Sequence, residues 1–196
     1  MRAMANAAGA AVLGGAGAAV LGLAWFCPPP APLWPFADHM VRHMGVVAVA
    51  APLLALGLRD APLPPIPPLI ATLVEFAAVW GWHLPAAHSL AQTSAAWFAA
   101  EQASFLGAGL ALWLAVLHPG RALAGAGGML LTSMHMTLLG ALLILAARPL
   151  YPSAICGGPA DQQMGGMIML GVGTPIYLLA GLVLTARALA EPERAA

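Results

Sequence analysis

Six stretches of roughly 20 mostly apolar residues, separated by short turns rich in proline, glycine and arginine, set the terms for everything else in this chain. About 20 such residues make one crossing of a bilayer as a helix. The stretches run from about Ala7 to Phe26, His39 to Leu58, Ile66 to His83, Ala95 to Leu117, Leu123 to Ala147 and Gln162 to Leu189. Only 7% of the 196 residues are charged. Soluble domains carry roughly 25%, so this chain cannot cover a water-facing surface. The expected fold is an all-α membrane protein, a single bundle of about six transmembrane helices. Its surroundings are the lipid bilayer, and its formal charge of zero gives nucleic acid nothing to bind.

The turns punctuate the pattern. Pro28-Pro29-Pro30-Ala31-Pro32 forces an extended loop, and Pro52 is the expected kink of the second span. Arg2 precedes the first span, but no small-residue cleavage site follows it, so the span is expected to be retained. Gly14, Ala18 and Gly22 line that span as a stripe suited to close helix contact. Trp80 and Trp82 read as an interface belt. All seven basic residues are arginines. With six spans both termini share a side, and Arg2, Arg59, Arg121, Arg187 and Arg194 fall on it, against Arg42 and Arg148 on the other. That asymmetry predicts cytoplasmic termini, with residues 27–38, 84–94 and 148–161 as outer loops.

This topology sorts the polar residues by depth. His39, His43, His83, His88, Glu101, Tyr151 and Asp161 fall at or near the outer face, Glu75 and His135 near the middle, and His118 at the inner face. His39 and His43 are four apart, on one helix face and about one turn from each other, so they read either as a metal clip or as boundary residues. Ionisable groups inside a membrane are costly and are functional candidates. His39, His43, His83, Glu101 and Asp161 together suit a metal such as Cu(II), a proton-linked site, or a polar network joining helices. Glu75 and His135 form a deeper layer, either as a hydrogen-bonded pair or with His135 as a ligand. Met164 and Met167 share a face and, with Met134, Met136 and Met169, offer thioethers suited to Cu(I), or plain apolar filling. Cys27 and Cys156 fall in outer loops, where they can pair as a disulfide or bind metal. The chain has no phosphate-binding glycine loop, no Ser-His-Asp order and no CxxC, so no enzyme class is expected.

Several blocks together resemble the polytopic membrane CtaG family, the cytochrome c oxidase assembly factors associated with caa-type oxidases. They are His39-Met40-Val41-Arg42-His43-Met44 leading into Ala51-Pro52-Leu53-Leu54-Ala55-Leu56-Gly57, Trp82-His83-Leu84-Pro85, His135-Met136-Thr137-Leu138-Leu139-Gly140, and Tyr151 with Asp161-Gln162-Gln163-Met164-Gly165-Gly166-Met167-Ile168-Met169. Glu101 followed by Phe105 is a weaker fifth block. Gln102 stands where the family often has a second histidine beside the glutamate, and Arg42 where a neutral glutamine is common. The resemblance implies an assembly factor of the bacterial inner membrane that matures a terminal oxidase through its copper centres, with oxidase subunits as partners. The candidate metal ligands are His39, His43, His83, Glu101, His135, Asp161 and Met164. Haem held by histidines such as His43, His83 and His135 is the alternative cofactor, and a metal-free scaffold the alternative role.

Overall fold

The computed structural model describes residues 2–27 and 34–195. The extended proline loop expected at 28–32 lies outside them. Among the described residues every regular element is helical. The order is α1 (Arg2–Phe26), α2 (Pro35–Met44), a π-helical turn (Gly45–Ala50), α3 (Ala51–Gly57), α4 (Pro68–His83), α5 (Pro85–Thr93), α6 (Ala95–Val116), α7 (Ala122–Leu145) and α8 (Pro159–Ala195). Among the described residues five spans are long and apolar enough to cross a membrane, and there are six when α4 and α5, bent by 74° from each other, are counted as one broken span. Leu69, Ile70, Leu73 and Val74 on α4 and Leu178, Leu179 and Leu182 on α8 are exposed, as lipid-facing side chains should be.

The expected loop at 84–94 is instead helix α5. Leu84 is extended, with φ −63° and ψ 135°, because the residue before a proline is pushed out of the helical region. Pro85 then opens a new helix at its first position, where its missing N–H costs nothing. The last span ends at Ala190, beside the expected end at Leu189, and its helix continues through the charged tail to Ala195.

The second span does not bend sharply at Pro52. It widens one turn earlier, and Pro35–Gly57 stays one continuous span. The Ala51 N–H reaches back to the Val46 carbonyl, five residues away, and so bypasses Val47. The Val47 carbonyl accepts the Trp113 indole N–H at 3.0 Å and the Tyr177 hydroxyl at 3.4 Å. Those two rings stack at 5.7 Å.

Helix α1 lies at the edge of the bundle and packs chiefly on α3. The contact runs through Gly14, the first member of the expected stripe, and through Gly17, which lies outside it. A Cβ on Gly57 would stand 2.7 Å from the Gly14 Cα, and one on Gly17 2.9 Å from the Leu54 nitrogen. A Cβ on Gly22 would meet nothing within 4 Å among the described residues. The largest interface joins α7 and α8. Gly140 and Gly166 let their backbones meet there: a Cβ on Gly166 would lie 2.8 Å from the Gly140 oxygen.

Candidate metal centre

The site sits where α2 begins, α4 ends and α5 and α6 meet. The start of α2 has no side-chain cap of its own. Its first N–H groups lack partners within the helix and need acceptors from elsewhere. Asp161, on the first turn of α8, supplies them. One carboxylate oxygen accepts the Ala37 N–H at 2.8 Å, and the other accepts Phe36 N–H at 2.9 Å and Gly157 N–H at 2.7 Å. Its negative charge also suits the positive end of the helix dipole. Asp161 therefore holds α2, and all three of its hydrogen bonds go to backbone rather than to histidines. The neighbouring Gln162 ties the α7–α8 loop down, accepting the Leu150 N–H at 2.7 Å and donating to the Leu143 carbonyl at 3.0 Å.

Helix α2 then carries His39 and His43 inward, both buried, with ring centroids 6.2 Å apart and planes 13° from parallel. His83, at the end of α4, donates from Nδ1 to the Val79 carbonyl at 2.6 Å. That bond fixes the tautomer and leaves Nε2 as a buried, unpartnered lone pair, the tautomer metal-ligating histidines use. The bend at Leu84 turns α5 back over the site and delivers His88, which is fully buried. Its ring lies 4.7 Å from that of His39 and packs against Phe36 at 5.2 Å and Tyr151 at 4.7 Å. The Tyr151 hydroxyl donates to the His83 carbonyl at 2.9 Å, so the α7–α8 loop braces the same helix end.

Glu101, on α6, is the buried acid of the site. One of its oxygens lies 3.7 Å from His39 Nδ1 and accepts the Gln102 amide N–H at 3.2 Å. Gln102 in turn accepts the Trp25 indole N–H at 3.0 Å, tethering α1 to the site. His39, His88 and Glu101 each offer a ligand atom within 4.8 Å of the others. Ligand bonds of ~2 Å bring donors to ~4 Å or less from one another, so closing on an ion takes a contraction of about an ångström.

The donor set passes a direct chemical test. His39 Nδ1 and Nε2, His43 Nδ1 and Nε2, His83 Nε2, His88 Nδ1 and Nε2, and Glu101 Oε1 are buried and find no hydrogen-bond partner among the described residues. Buried polar atoms nearly always have a partner, and each one without costs on the order of 1–3 kcal/mol. Imidazole nitrogens beside a carboxylate suit copper, zinc, iron or nickel.

The other expected ligands lie elsewhere. His135 pairs with Glu75 at 2.8 Å between α7 and α4. Glu75 precedes His83 by eight residues, about 12 Å along the helix axis. Met164, Met167 and Met134 are exposed. The α8 face turned to α2 carries Gly165 instead, where a Cβ would meet the Phe36 ring at 2.4 Å. Cys27 is exposed and Cys156 buried, and the two are not joined. Burial pushes the Cys156 thiol up, and it donates to the Gly158 carbonyl at 3.5 Å, so it is held as a thiol. His88 was hidden from ligand assignment by its place in an expected loop; its five-residue spacing from His83 across Pro85 was the available signal.

These features define a polytopic helical membrane protein with a buried histidine–carboxylate centre at one end of its bundle. A family model described as cytochrome c oxidase caa3 assembly factor (Caa3_CtaG) matches residues 66–191, and the chain belongs to that family. The match takes in His83, His88, Glu101 and Asp161 and begins after His39 and His43. Comparison with curated proteins and with solved structures gave no match.

Proposed function

We propose that this protein binds copper at the His39–His88–Glu101 centre, with His43 and His83 adjoining, and assists metallation of a terminal oxidase in the bacterial plasma membrane. The role is non-catalytic: the ion is cargo, destined for a copper centre of oxidase subunits. Membership of the oxidase assembly family supports the process. The observation that carries the metal is the set of buried imidazole nitrogens without protein partners. Eight unmet atoms converge on this cluster, against single unmet atoms on Thr72, Glu75, Trp80, Thr132 and His135 elsewhere in the bundle. Imidazole nitrogens with a carboxylate favour Cu(II) over Cu(I), and copper heads the divalent affinity order. Contact between the rings supports an ion over haem: the Phe105 centroid is 4.1 Å from that of His43, and His83 is 5.2 Å from His43.

Purified protein exposed to Cu(II) and desalted should retain copper in stoichiometric amount, with nitrogen hyperfine structure in its electron paramagnetic resonance spectrum. His39→Ala and His88→Ala should each weaken retention at least tenfold, by the scale of losses at metal sites. Met164→Leu should leave it unchanged. Copper retention indifferent to both histidine changes would sink the assignment. A Soret band in the purified protein would restore the haem reading. Copurification with oxidase subunits that survives loss of all the clustered histidines would favour the metal-free scaffold.

A further inference from the structure

A cluster buried this deeply needs a route for its ion. Beside it lies a cavity of about 420 Å³. Its wall includes Asp38, His39 and Arg42 of α2, and Gln92, Ser94 and Phe98 where α5 turns into α6. His39 belongs to both places: it lines this cavity and is also one of the three groups that can close on an ion. His88 and Glu101 lie behind it. Three further cavities, between α7 and α8, beside Trp82 and Trp97, and around Arg59 and His118, touch no member of the cluster.

The charges at the rim are arranged for a cation. A guanidinium at the mouth would repel one, but Arg42 is held by Asp38 at 2.9 Å and leans toward the Ala24 carbonyl at 3.5 Å. Both side chains of the pair are partly exposed. Ion pairs four residues apart on a helix contribute little, so the Asp38 carboxylate can exchange Arg42 for an arriving cation. Arg42 keeps the Ala24 carbonyl as its acceptor. The volume exceeds what a bare ion needs and admits one that still carries waters or a small ligand.

We propose that this cavity is the port through which copper reaches and leaves the centre, with Asp38 the first acceptor at the rim and His39 the group that passes the ion inward. The proposal rests on the copper reading above. No redox step is involved: a metal–carboxylate bond at Asp38 is exchanged for a metal–nitrogen bond at His39.

The test separates rate from occupancy, using the full-length chain in detergent micelles and Cu(II) buffered by glycine. Excess EDTA quenches loading at timed points, and protein-bound copper is measured after desalting. Ser94→Cys is made with Cys27→Ser, so that a bulky methanethiosulfonate reagent, added after folding, plugs the cavity at one position. Modification should slow loading at least tenfold while the copper finally bound per chain stays the same. Asp38→Asn should slow loading by a similar factor with the same final occupancy. The same reagent at Leu130→Cys, on the lipid-facing side of α7, should change nothing. A plugged protein, or the Asp38 variant, that loads within twofold of its parent overturns the port. An unmodified protein that binds no copper at all overturns the copper reading and the port with it.

Discussion

Asp161 accepts the backbone N–H of Ala37 at 2.8 Å across 124 residues of sequence, so the last long helix caps the helix that carries His39 and His43. Capping from another helix makes the orientation of the histidine pair depend on α8 being docked. Asp161→Ala leaves three backbone donors without an acceptor. At about 1–3 kcal/mol for each buried group unmet, this variant should lose at least ~3 kcal/mol. Asp161→Asn keeps one acceptor oxygen and should lose less. Thermal unfolding in detergent orders the three proteins. Copper retention should fall along the same series although Asp161 touches no ligand. Equal stability of wild type and Asp161→Ala would remove the capping role.

The first glycine of the Asp-Gln-Gln-Met-Gly-Gly block, Gly165, is matched to the same joint. Gly165→Ala drives a methyl into the Phe36 ring, at 2.4 Å before any relaxation. Overpacking of this kind costs about 1–3 kcal/mol. Phe36 contacts His88, so the change should also lower copper retention. Gly57→Ala meets the Gly14 backbone, which cannot rotate away, and should destabilise by a similar amount with little effect on the centre. Gly107→Ala meets nothing within 4 Å. It should be neutral or gain up to about 1 kcal/mol from helix propensity. Melting temperatures of the three variants provide the check, and a Gly165→Ala protein as stable as Gly107→Ala would contradict the packing argument.

Trp113 and Tyr177 share one acceptor, the Val47 carbonyl. Trp113→Phe and Tyr177→Phe should each cost about 0.6 kcal/mol, the typical worth of a hydrogen bond between membrane helices. Either single change leaves the carbonyl one donor. The double change leaves it none, so the pair should cost more than the sum by about 0.5 kcal/mol or more. A double-mutant cycle on denaturant unfolding measures the difference, and strict additivity would mean the carbonyl is served by something else.

Much of the bundle was legible in the sequence because hydropathy over 20 residues reports burial in lipid directly. The span ends at Phe26, Val116 and Leu145 fall within a few residues of those read from composition alone. Helix α5 was not legible: Pro85-Ala86-Ala87-His88-Ser89-Leu90-Ala91-Gln92-Thr93 is too polar and too short to register as a span, and Pro85 looks like a breaker when it is a starter. His88 went unassigned for that reason. Asp161 misled in the opposite direction. A carboxylate near several histidines looks like a ligand, and nothing in the sequence marks backbone N–H groups 124 and 125 residues away as its partners. The methionines of α8 look like ligands in one dimension, but its period turns Met164 and Met167 outward and presents Gly165 to α2.

The widened turn at Gly45–Ala50 acts as a phase shifter. At 100° per residue, a uniform helix would set Gly57 within ~40° of His43, on the same side of the span. A π turn holds roughly one residue more than an α turn and so rotates everything beyond it by on the order of 100°. The segment before it faces α8 and the histidine cluster, while the segment after it, with Leu54 and Gly57, faces α1. One rod thereby serves two partners lying in different directions. Remove a single residue from Val46 to Ala48, and the helix could keep its histidines on the centre or its glycine on α1, but not both.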